Sequence, residues 1–118
     1  MRRSLAVLDW GIGGMGFYRA IKARFPRTSI LYWSDSGATP YGRMSRTELV
    51  SRLQVVSGIL QQEGASALVV ACNAASTVLA EACLSIPHTG IIEHAVSAVK
   101  SSGVSSLGIV GGRRTILS

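Results

Sequence analysis

Short apolar runs alternate along this chain with segments in which apolar residues recur every three or four positions. That alternation is the signature of strand–helix units building a parallel sheet. The first run, Leu5 to Leu8, ends at Asp9. After a glycine-rich turn, Met15, Tyr18, Ile21 and Phe25 fall at helical spacing until Pro26 closes the helix. Ser29 to Trp33 reads as the second strand, and the loop from Asp35 to Gly42 that follows is dense in turn residues and too long for a minimal connection. Ser45 and Glu48 form a capping box ahead of Leu49, Leu53, Val56 and Leu60 on one helical face, which Gly64 ends. A third strand, Ala67 to Ala71, leads through Cys72 into a helix opening at Asn73 and running toward Pro87. Thr89 to Ile92 gives a fourth strand, leading to Glu93 and His94, and a helix follows over Ala95 to Ser101. Ser106 to Val110 gives a fifth, followed by Gly111-Gly112 and a helix start at Thr115. The expected fold class is α/β, a flavodoxin-like parallel sheet with flanking helices.

Composition narrows the class. With 118 residues, 47% of them hydrophobic, and a mean hydropathy of +0.35, the chain suits one domain with a real core rather than a disordered segment. No apolar run approaches the ~20 residues of a membrane helix, so no membrane partner is expected. Two cysteines and the lack of a signal peptide suggest a reducing, cytoplasmic setting. Those cysteines form no C-x-x-C pair, and His88 and His94 sit at no zinc-ligand spacing, so no metal is expected. The net charge of +6 raises nucleic acid as a partner. Yet the positive residues are dispersed: Arg2 and Arg3 at the terminus, Arg19, Lys22, Arg24 and Arg27 on one helix and its exit, Arg43, Arg46 and Arg52 on another, and Arg113-Arg114 near the end. No recognition motif accompanies them, and a solvated surface explains them better.

Chemistry concentrates at one place. In a parallel sheet the residues after successive strands gather at the carboxyl edge, which would hold Asp9, the Asp35–Gly42 loop, Cys72-Asn73, Glu93 and Gly111-Gly112. Cys72 lies between a strand's end and a helix's start, where backbone N–H groups and the helix dipole favour a thiolate. Taken singly these residues have plain structural roles: a buried cysteine acts as a small hydrophobe, and Asp9 or Asn73 can cap a helix. Cys83 is read in that way, buried in mid-helix about 16 Å along the axis from Cys72. Gly11-Ile12-Gly13-Gly14-Met15-Gly16 also matches a dinucleotide-binding turn, with Asp35 placed as the ribose-binding acid. That reading sets Asp9 against a pyrophosphate and leaves Pro40-Tyr41-Gly42 and Cys72-Asn73 unexplained. Lys22 and Lys100 lie off the rim, so a pyridoxal Schiff base is not expected.

Three motifs in register carry a family resemblance. Asp9-Trp10-Gly11-Ile12-Gly13-Gly14, Asp35 through Pro40-Tyr41-Gly42, and Cys72-Asn73-Ala74-Ala75-Ser76 resemble the N-terminal motifs of glutamate racemase, in the cofactor-independent aspartate/glutamate racemase superfamily. Ile91-Ile92-Glu93 and Gly108 to Thr115 are similar to later segments. The resemblance implies two α/β lobes facing each other, with residues 1–96 as the first and 97–118 crossing into a second that is cut short. It implies proton transfer without a cofactor, one cysteine removing the α-proton and another, outside this chain, delivering one to the opposite face. Cys72 would be the first, assisted by Asp9. Trp10, Pro40, Tyr41, Gly42, Asn73 and Ala74 would bind the substrate, a small acidic amino acid. Trp10 stands where the family usually has serine, and Ala74 where it usually has threonine. The isolated chain is expected to be inactive or nearly so as a racemase. A homodimer is open as the assembly, and a non-catalytic module binding an anionic ligand or a partner is the alternative.

Overall fold

The structure is a computed structural model that describes residues 3–118; Arg2, counted above with the terminal charges, lies outside them. Four strands, β1 (Ser4–Asp9), β2 (Ser29–Ser34), β3 (Ala65–Val70) and β4 (His88–Thr89), form one sheet in the order β2-β1-β3-β4. Every neighbouring pair is parallel, with Leu8 opposite Trp33 on one side and Val70 on the other. The carboxyl ends of β1, β2 and β3 therefore share one edge.

The helices are α1 (Met15–Arg24), α2 (Arg46–Gln62), α3 (Asn73–Ser76), α4 (Leu79–Ala82), α5 (Ile92–Ser102) and α6 (Arg113–Ile116), with a 3₁₀ turn at Tyr41–Arg43. Helix α2 begins at the capping box: the Ser45 hydroxyl accepts from the Glu48 amide, and the Glu48 carboxylate accepts from the Ser45 amide. Leu49, Leu53, Val56 and Leu60 follow as one fully buried stripe. They pack with Ala6 and Leu8 of β1 and with Leu68 and Val70 of β3. Val7 and Val69 are also buried but lie outside this cluster, as the two-residue period of a strand requires. Burying each such leucine is worth roughly 2 kcal/mol in transfer alone. Leu53→Ala adds the cavity left behind and is expected to lower stability by about 3 kcal/mol, read from urea midpoints.

Several expectations are corrected. The helix after Cys72 is not continuous: α3 and α4 are single turns separated at Thr77-Val78. The Thr77 hydroxyl donates to the Ala74 carbonyl at 2.7 Å and the Ser76 hydroxyl to the Val70 carbonyl at 3.2 Å. These hydroxyls compete for backbone partners just where β-branched residues disfavour the helix. Cys83 is consequently neither mid-helix nor buried; it ends α4 in the left-handed region, at φ 48°, and is exposed. The fourth strand is only two residues long, because Ile92 already belongs to α5. Met15 and Phe25 of the expected α1 face are exposed, leaving Tyr18 and Ile21 half-buried. Residues 106–110 form no strand and are exposed, with Val110 wholly so. Among the described residues they have no ladder partner, and an isolated extended segment leaves its backbone groups to water.

Candidate active site

The carboxyl edge opens into a cleft of about 510 Å³ lined by residues of all three expected motifs, including Asp9, Trp10, Pro40, Tyr41, Gly42, Cys72 and Ala74. Asn73 opens α3 with an exposed side chain and is not part of that lining. Glu93 lies elsewhere, in a smaller cavity of about 240 Å³ with Ser76, His88 and Thr89. Gly111 and Gly112 are exposed and do not reach the cleft.

Asp9 is fixed by the turn that follows it. One carboxylate oxygen accepts from the Trp10 amide at 2.8 Å and the other from the Gly14 amide at 3.0 Å. A Cβ at Gly13 would sit 2.9 Å from that second oxygen, so glycine is required there for the turn to close on the carboxylate. Gly13 and Gly14 thus serve Asp9, and the Gly14 amide that an anionic ligand would need is already taken. Behind the turn, Tyr32 donates its hydroxyl to the Gly11 carbonyl at 3.0 Å, a support the sequence did not single out.

The loop after β2 hangs on Asp35, which is buried rather than offered to a ligand. Its carboxylate accepts from Tyr41 at 2.6 Å, from Trp33 at 3.2 Å, and from both Nε and Nη2 of Arg52 at 2.8 and 2.6 Å. Although burial opposes it, these donors, led by Arg52, hold the Asp35 carboxyl below the usual range. Asp35 is therefore no ribose-binding acid, and Arg52 is not a solvated surface charge. The sequence carried a cue: Arg52 falls three residues after Leu49 and four before Val56, at the margin of the buried stripe, where a partly buried cation gains from an acidic partner. Burial, followed by its hydrogen bond to Asp35, pushes the Tyr41 phenol far up. Its hydroxyl is spent inside the protein, so Tyr41 and Gly42 line the cleft without offering that hydroxyl to a ligand. Trp10 closes the same wall, its indole N–H donating to the Ala38 carbonyl at 2.9 Å.

Cys72 completes the site, 9% exposed at the floor of the cleft. Burial pushes its thiol up, and the charge and hydrogen bond of Asp9 push it further. The amides of Ala75 and Trp10 pull the other way without prevailing. The expected thiolate preference is therefore corrected: α3 is a single turn, too short to bring a substantial dipole to bear. The arrangement is a protonated thiol facing a carboxylate, two groups that can exchange a proton with a bound molecule. Asp9 is the one acidic residue in a lining that holds no lysine, arginine or histidine, and Trp10, Ile12, Pro40 and Ala74 make the walls largely apolar.

The family model described as Asp/Glu/hydantoin racemase matches residues 5–118. The chain belongs to that family. It is 34% identical to the glutamate racemase of Persephonella marina over 119 aligned positions, covering 98% of this chain and 46% of that protein. With the glutamate racemase of Vibrio cholerae it shares 37% identity over 90 residues, 73% of this chain and 34% of that one. The crystal structure of glutamate racemase from Thermus thermophilus, in complex with β-chloro-D-alanine, superimposes with a TM-score of 0.85 at 32% identity, over 98% of this chain and 46% of that one. The Francisella tularensis enzyme in complex with D-glutamate gives 0.83 at 27% identity, over 98% and 45%. The chain spans less than half the length of these relatives. No helix among the described residues is long and apolar enough to cross a membrane.

Proposed function

We propose that this chain forms the Cys72 half-site of a glutamate-racemase-like isomerase, which interconverts L- and D-glutamate or a related acidic amino acid by cofactor-independent proton transfer. The observation that carries the reading is the meeting of the Cys72 thiol and the Asp9 carboxylate on the floor of one cleft, in a chain of this family. The α-proton of an amino acid is very weakly acidic, so its removal needs a tuned base and donors for the charge that develops. Cys72 acts as that base once deprotonated, and Asp9 orients the sulfur. Trp10, Ala74 and the Pro40-Tyr41-Gly42 turn shape the substrate's seat, with the Asn73 side chain at its rim. Lacking a cation in the lining, the site holds carboxylates through backbone N–H groups and the hydroxyls of Ser34 and Ser36.

The second proton donor must come from beyond these residues, because Cys83 is exposed and does not line the cleft. In this reading residues 97–118 pass into a second lobe, and the assembled enzyme, as a monomer or a homodimer, works in the cytoplasm and supplies D-glutamate for peptidoglycan. A non-catalytic module is the second reading, favoured by the bulk of Trp10 in the cleft. Incubation with L- or D-glutamate in D₂O separates the two. The 118-residue chain is expected to incorporate deuterium at the α-carbon faster than it inverts configuration, followed by proton NMR and chiral chromatography. Binding without exchange would reject the half-site in favour of the module. Robust inversion would show that the opposing donor is not missing.

A further inference from the structure

Both walls of the cleft are tied to one buried residue, Asp35, the Tyr41 wall through its carboxylate and the Trp10 wall through its backbone. Asp35 receives the Tyr41 hydroxyl through its side chain, donates its own amide to the Asp9 carbonyl at 3.0 Å, and accepts the Ala38 amide on its backbone carbonyl at 3.0 Å. Ala38 in turn holds the Trp10 indole. Tyr41 is sealed in the same apolar cluster as Cys72 and Ala75, so its ring braces the segment that carries the thiol. Arg52 touches none of the cleft; it reaches Asp35 from α2 with a two-pronged contact.

We propose that Arg52 is a positioning residue for this site, acting through Asp35 to set the geometry of the Trp10 and Tyr41 walls around Cys72. The inference rests on the reading of Cys72 and its cleft as the reactive half-site. Asp35 is 3% exposed, and a carboxylate so placed cannot keep its charge without a partner. Without the guanidinium, Asp35 must take up a proton or turn toward water. Either change alters what the Tyr41 hydroxyl can donate to and loosens the loop that anchors Trp10. Arginine's planar fork fits the two carboxylate oxygens, whereas lysine offers a single point charge.

The test uses the whole 118-residue chain with Cys83→Ser, so that Cys72 is its only thiol. Carboxamidomethylation of Cys72 is followed across pH, with and without glutamate, in the parent and in Arg52→Met, Arg52→Lys and Arg52→Met/Asp35→Asn; circular dichroism reports folding. Arg52→Met is expected to change the alkylation rate roughly tenfold and to weaken protection by glutamate, since small displacements at a reactive centre have effects of this order or larger. Arg52→Lys should recover part of both. The double variant, which carries no buried charge, should remain folded and show the same altered site, so it decides the question if Arg52→Met fails to fold. A folded Arg52→Met or double variant with the parent's alkylation profile, within about twofold, would overturn the proposal. Should glutamate fail to protect even the parent, the glutamate reading falls while the alkylation rates still decide the role of Arg52.

Discussion

Cys72→Ser is expected to lower deuterium exchange at the α-carbon of glutamate by about a thousandfold, within the range that a positioned acid or base contributes. The substitution changes one atom at the floor of the cleft and nearly preserves its volume, so the core cluster that includes Cys72 should stay intact. What it removes is ionisability: a serine hydroxyl beside Asp9 has no accessible anionic form at neutral pH. Thermal melts of the variant should match the parent closely, which separates a chemical loss from a folding one. A fall of less than about tenfold would move the base away from Cys72.

The exchange rate should also climb steeply with pH. Cys72 lies above the ordinary thiol range because burial and the neighbouring Asp9 both disfavour the thiolate. If the thiolate is the base, the rate rises about tenfold per pH unit while the pH stays below that raised pKa, or about a hundredfold between pH 6.5 and 8.5. Asp9→Asn removes the opposing charge, so the profile should shift toward lower pH even where the maximal rate declines. A plateau near pH 7 in the parent would mean that a group other than a raised thiol limits the reaction.

These expectations show which features were legible in the residues. The α2 stripe announced itself because capping box, period and closing glycine agree over seventeen residues. The apposition of Asp9 and Cys72, sixty-three positions apart in sequence, followed from topology, since parallel strands deliver their carboxyl ends to one edge. The break at Thr77-Val78 was not legible from apolar spacing, because hydroxyl-to-backbone bonds decided it. The rise of the Cys72 pKa was missed for a related reason: with the helix cut to one turn, burial and Asp9 outweigh the local amides. Arg52 resembles any surface cation except in its place three residues after Leu49 and four before Val56, at the margin of the buried stripe. Ser106 to Val110 has a strand's composition, but composition supplies no neighbour to pair with.

The central claim, that the Cys72 sulfur is ionisable and faces the bound amino acid, is tested most directly by alkylation. Intact-mass and fragment analysis of the chain treated with iodoacetamide, with and without glutamate, should show Cys72 modified at a rate that grows with pH and falls when glutamate is present. Cys83 should react irrespective of the ligand. Modification confined to Cys83, or modification of Cys72 that glutamate leaves unchanged, would contradict the account.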